Sequence, residues 1–137
     1  MSPRSPLETI VRLSAPVLWA LIILWLSLTP SPPQLPGVLG WDKLLHAGAY
    51  GLLTLLIAQF LLYLSFDLGK TGWQAVSLAV CCGALLEVLQ LLLQTGRTAE
   101  WWDLIADAIG ALLAYLVFRR FSGLTCSRRE LQDEGRK

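Results

Sequence analysis

A handful of chargeable residues sit inside or beside stretches that are otherwise apolar, and their spacing groups them. Glu87 and Gln90 stand three residues apart and Asp103 and Asp107 four apart, so each pair shares a helix face. A short polar turn with Gly96 and Arg97 separates the pairs. Upstream, Asp42, His46 and Tyr50 recur every four residues beside Lys43, a second polar stripe that Thr54 extends. A charge at the bilayer centre costs roughly 2.5–3.5 kcal/mol even on the lenient insertion scale, so carboxylates in such segments need partners or a wet cavity. His46, Glu87 and Asp103 are the groups suited to proton transfer. Arg97 can pair with Glu87, Asp103 or Asp107, or hold an anion through its planar fork.

Each of these residues also has a plainer role. Asp103 lies in the first turn of a helix, where the dipole favours a carboxylate. Glu87 with Gln90, and His46 with Asp42, can simply bond between helices. Asp107 sits a full turn deeper than Asp103 and is not covered by the dipole argument. One histidine is too few for the usual zinc ligand sets. Glu87, Asp103 and Asp107 match magnesium or calcium by oxygen type alone. No metal and no cofactor is expected. There is no Ser-His-Asp set, glycine-rich phosphate loop or Cys-His pair.

These residues must be positioned by membrane helices. The chain has 137 residues, 55% hydrophobic and 15% charged, more apolar than a soluble domain and of one-domain length. A net charge of +1 argues against nucleic acid. Cys81, Cys82 and Cys126 form no disulfide framework and read as free thiols. A bilayer core takes about 20 apolar residues per helix, and the segments 13–29, 44–66, 72–94 and 101–121 meet that length or nearly so. The first is the weakest, being interrupted by Pro16, although Leu7–Leu13 can extend it along the interface. Its rival is a signal peptide with Arg4 and Arg12 ahead of Val17–Leu28; the lack of a small-x-small cleavage site favours an uncleaved helix. Thr29–Gly40, with four of the seven prolines, is an irregular connection. The fold class is therefore all-α, an integral membrane bundle of four transmembrane helices over residues 1–121, followed by a polar cytoplasmic tail over 122–137.

Basic residues set the orientation. Arg4 and Arg12 flank the first helix, Lys70 lies in the middle turn, and Arg119, Arg120, Arg128 and Arg129 follow the last helix. Both termini are expected in the cytoplasm of a multi-pass plasma (inner) membrane protein. The start of the second helix, the end of the third and the start of the fourth then reach the outer surface together. At 1.5 Å per residue, Glu87 lies about 12 Å below the turn near Thr95 and Asp107 about 9 Å below Trp101. The polar residues share the outer half of the bilayer.

The combination Asp42-Lys43-x-x-His46-x-x-x-Tyr50, Glu87-x-x-Gln90, and Gly96-Arg97 followed six residues later by Asp103 resembles the VanZ-like family of small bacterial membrane proteins. Gly110 fits the glycine that closes the pattern. Asp107 departs from it, standing where the resemblance implies Asn. The resemblance implies a cell-envelope setting, since the family takes its name from low-level resistance to the glycopeptide teicoplanin. The expected function is to bind or modulate an envelope component in an outward-facing polar pocket. Its ligand would be a lipid headgroup, a lipid-linked wall precursor or a lipoglycopeptide. Asp42, His46, Tyr50, Glu87, Gln90, Arg97, Asp103 and Asp107 would line the pocket. The alternative is an intramembrane enzyme acting on an envelope lipid through His46, Glu87 and Asp103, with Arg97 as the anion clamp.

Overall fold

The computed structural model describes residues 6–29, 41–64, 67–93 and 100–134, with side chains of residues 41, 68, 69 and 121–134 left aside. Four helices account for nearly all of it: α1 (Pro6–Leu28), α2 (Trp41–Leu64), α3 (Leu68–Leu93) and α4 (Trp101–Glu134). Each is long and apolar enough to cross a membrane, and no strand occurs among the described residues. In lipid a backbone must satisfy its own polar groups, and the helix does this within one segment.

The helices start and stop for local reasons. Pro6 opens α1 at the position where a missing N–H costs nothing. Pro16 lies inside α1 without ending it, so the helix is continuous and begins seven residues earlier than the apolar count from residue 13 suggested. Asp42 and Asp103 stand in the first turns of α2 and α4, where the dipole favours carboxylates. The α4 helix continues through the polar residues to Glu134; its 34 residues span about 51 Å, well beyond a bilayer core.

Helices α2, α3 and α4 pack against one another, with the most extensive interface between α2 and α4. The core cluster includes Tyr50 and Leu53 of α2, Val76, Ala79 and Leu86 of α3, and Ala111 and Tyr115 of α4. Small residues set the spacing, as expected where helices must approach closely in lipid. A Cβ on Gly110 would fall on the backbone of Ala47, and one on Gly72 would fall within the Tyr115 ring. The α1 helix lies outside this trio, against α2 and, less, α3. It is held by polar pins: Trp19 Nε1 donates to Ala49 O at 2.9 Å, Gln90 Nε2 donates to Ser27 O at 2.9 Å, and Thr9 Oγ1 meets the Tyr63 hydroxyl at 3.3 Å. Arg12 also stacks over the Tyr63 ring at 4.7 Å.

These contacts define two ends. One gathers the end of α1, the start of α2, the end of α3 and the start of α4. The other gathers the start of α1 with the end of α2, and the start of α3 with Tyr115 of α4, whose ring lies 5.2 Å from that of Trp73. Successive helices therefore alternate in direction.

Candidate functional site

The polar stripe of α2 and the carboxylates of α4 meet at the first of these ends. Deepest is Asp107, 1% exposed, whose Oδ1 is 2.9 Å from His46 Nδ1. The imidazole also faces Asp103, with Nε2 3.8 Å from Asp103 Oδ2. The other oxygen of Asp103 pairs with the Lys43 ammonium. Lys43 in turn donates to Glu100 Oε2 at 2.9 Å and lies 3.9 Å from Asp42 Oδ2. The chain Asp107–His46–Asp103–Lys43–Glu100 thus runs from the packed interior to the half-exposed rim. The N–H of Asp103 also bonds to Glu100 O at 2.9 Å, fixing the turn that starts α4.

This geometry follows from helical spacing. Asp103 and Asp107 are one turn apart on α4, and Lys43 and His46 are nearly so on α2, so two rows of polar groups face across the α2–α4 interface. Gly110, next along the α4 face, lets the two backbones close up and brings the rows within bonding distance. Tyr50, one turn beyond His46, stacks with it at 6.4 Å between ring centroids and is buried. Its own carbonyl accepts from Thr54 Oγ1 at 2.8 Å, so the α2 stripe extends into the core.

The α3 helix closes the third side. A Cβ on Gly83 would lie 2.7 Å from Asp107 Oδ2 and 3.2 Å from Tyr50 Cε1, so the absent side chain is the space those groups occupy. One turn along the same face, Glu87 comes within electrostatic reach of Asp103, His46 and Asp107. Its Oε2 is buried and has no hydrogen-bond partner among the described residues.

A family model described as VanZ/LLP1 matches residues 6–122. The chain belongs to the VanZ/LLP1 family. No curated protein and no solved structure gives a significant match. For this VanZ/LLP1 membrane protein, the structure brings together Asp42, His46, Tyr50, Glu87, Asp103 and Asp107. Gln90 is placed differently: it turns away to the α1–α3 contact, where its side chain ties to Ser27. Arg97, with Gly96, lies outside the described residues.

Lys43 and Glu100 belong to the cluster and were not singled out as site residues from the sequence. The signal for Lys43 was its position three residues before His46, on nearly the same face; Glu100 gave only its place next to Trp101. For a metal, Asp42, His46 and Asp103 offer ligand atoms within 4.8 Å of one another, a different set from Glu87, Asp103 and Asp107. The Lys43 ammonium already stands among these carboxylates. The groove among the described residues lined by Arg12, Ala15, Leu56, Gln59 and Phe60 lies between α1 and α2 and contains none of the candidate residues.

Proposed function

We propose that this VanZ/LLP1 protein binds or modulates a cell-envelope component at the α2–α3–α4 cluster, on the outer side of the membrane. The ligand classes are a lipid headgroup, a lipid-linked wall precursor or a lipoglycopeptide. The observation that carries the reading is the Asp107–His46–Asp103–Lys43 chain, which runs from two buried carboxylates out to a partly exposed ammonium. Ionisable groups within transmembrane segments are costly, and by default they mark a functional site. The exposed Trp101 and Trp102 beside it are suited to headgroup level. The excess of basic residues on the other flanks supports the outward orientation.

The test joins topology to phenotype. In a background without native cysteines, cysteines at Ser31 and Thr98 are expected to react with an impermeant thiol reagent in intact cells, and cysteines at Ser2 and Ser127 are not. In a suitable host, His46→Ala should abolish whatever change in teicoplanin susceptibility the wild-type protein confers, at normal membrane accumulation. The reverse labelling pattern would place the cluster in the cytoplasm and remove the envelope reading.

A second reading is favoured by one detail. A carboxylate on His46 Nδ1 leaves Nε2 to act, the arrangement that orients a general base. An enzyme of this kind would act on an envelope lipid through His46, Glu87 and Asp103, with Arg97 as anion clamp. Turnover of envelope lipids by the purified protein, lost by about 10²–10⁴-fold in Glu87→Gln with the fold intact, would distinguish catalysis from binding.

A further inference from the structure

At the end of the bundle opposite the polar cluster, α1 and α2 leave a groove between them. Arg12 and Ala15 line it from α1, and Leu56, Gln59 and Phe60 from α2, around about 130 Å³ of space. On each helix these positions share one face, three or four residues apart. The lining is graded with depth. Arg12 stacks over Tyr63, the residue before the last of α2, which puts its guanidinium at the membrane-surface end of the groove. Gln59 lies one turn inward of Tyr63, about 6 Å along the axis, and Leu56 about 4.5 Å deeper still. The groove thus passes from a cation, through an amide, to an aliphatic wall.

Both polar groups keep donors to spare. Arg12 gives one N–H to Glu8 Oε1 at 3.4 Å, long for a hydrogen bond, in a half-exposed i,i+4 pair of the kind that contributes little. A guanidinium has five N–H donors, and stacking on Tyr63 engages its face rather than its edge. The stack also holds the guanidinium in place, because the Tyr63 hydroxyl is itself tied to Thr9. The Gln59 side chain makes no hydrogen bond among the described residues, although it stands in an apolar helix where an unpartnered amide is costly. Arg12 carries the one charge among the residues lining the groove. Around it, the described charged side chains at this end are Arg12, Lys70, Arg119 and Arg120 against Glu8 and Asp67, a positive balance.

We propose that this groove seats an anionic phospholipid from the leaflet at this end of the bundle. Arg12 and Gln59 donate to oxygens of its phosphate and glycerol-ester region, and the first carbons of an acyl chain lie along Ala15, Leu56 and Phe60. The planar fork of Arg matches phosphate geometry, and basic pockets between transmembrane helices suit such headgroups. A zwitterionic lipid brings the same phosphate with a cation attached, which the positive balance at this end disfavours. The lipid would also brace α1, which packs against α2 and, less, α3. The assignment goes beyond the envelope-binding reading and stands apart from it, since the two sites are at opposite ends of the bundle.

The test uses the full chain in a neutral detergent, titrated calorimetrically with phosphatidylglycerol and phosphatidylcholine of identical short acyl chains. Phosphatidylglycerol is expected to bind about tenfold tighter, with that preference removed in Arg12→Gln. Gln59→Leu should weaken phosphatidylglycerol about threefold or more. Lys70→Gln removes an exposed charge at the same end but outside the groove, and should leave the preference intact. Inorganic phosphate at matched ionic strength should not displace the lipid. Thermal melts check that each variant is folded; if Arg12→Gln is not, Gln59→Leu decides. Equal affinity for the two lipids, a preference kept in folded Arg12→Gln, or unchanged phosphatidylglycerol affinity in Gln59→Leu would overturn the proposal. So would equal losses in Lys70→Gln and Arg12→Gln, which would mean diffuse attraction to a positive surface. Displacement by inorganic phosphate would make this a free-anion site and overturn the lipid assignment. The α2–α3–α4 cluster is tested separately, by the labelling and His46→Ala experiments.

Discussion

Gly110→Ala is expected to destabilise the protein by about 3 kcal/mol, the upper part of the range for overpacking. The added methyl has nowhere to go. It would overlap the Ala47 carbonyl and lie 2.6 Å from the carbonyl carbon and Cα of the same residue. Those atoms are backbone in the second turn of α2, so no rotamer change relieves the clash, and α2 and α4 must separate. That interface is the most extensive in the bundle and carries both bonding rows of the polar cluster. Separation therefore breaks the Lys43–Asp103 and His46–Asp107 contacts as well as apolar packing. Thermal unfolding in detergent should show a clear drop in midpoint. A variant as stable as wild type would mean that the two backbones do not approach at this point.

Gly83→Ala should have its main effect on the site. The new methyl would lie 2.7 Å from Asp107 Oδ2 and 3.2 Å from the Tyr50 ring, both buried. Here the obstacle is side chain, so the cluster can give way where the backbone at Gly110 cannot. The carboxylate of Asp107 is the easier to displace, and its movement would break the 2.9 Å contact with His46. A loss of about 1–3 kcal/mol in stability follows from the overpacking. Any phenotype or ligand affinity that depends on His46 should be lost beyond what that destabilisation explains. Gly48→Ala is the matched control, because a Cβ there meets nothing within 4 Å. Unchanged function in Gly83→Ala at full membrane accumulation would detach Asp107 from the activity.

Much of this arrangement can be derived from residue types and spacing. Long apolar segments give the four helices, because a backbone in lipid has few other ways to satisfy its hydrogen bonds. The same rule explains why Pro16 interrupts the apolar count without ending α1. The convergence of the α2 start, α3 end and α4 start follows from four successive crossings. What spacing leaves open is the azimuth of each side chain. Glu87 and Gln90 are three residues apart, which still leaves about 60° between them around the helix. That angle is enough for Gln90 to face Ser27 of α1 while Glu87 faces the α4 carboxylates. The role of Lys43 was hidden for a related reason. A long flexible side chain in a first turn reads as a solvated flank until a partner helix brings Asp103 and Glu100 within reach. The length of α4 could not be read from hydropathy, since its last turns are polar and remain helical.

The central claim is that Asp107, His46 and Asp103 form one connected site inside the bundle. The chain has a single histidine, so selective ¹⁵N-histidine labelling of the protein in lipid nanodiscs gives one imidazole to follow. The geometry predicts that Nδ1 carries a hydrogen donated to Asp107, that Asp107→Leu shifts the Nδ1 resonance strongly, and that Asp103→Leu acts mainly on Nε2. An Nδ1 signal unmoved by Asp107→Leu would contradict the site as described.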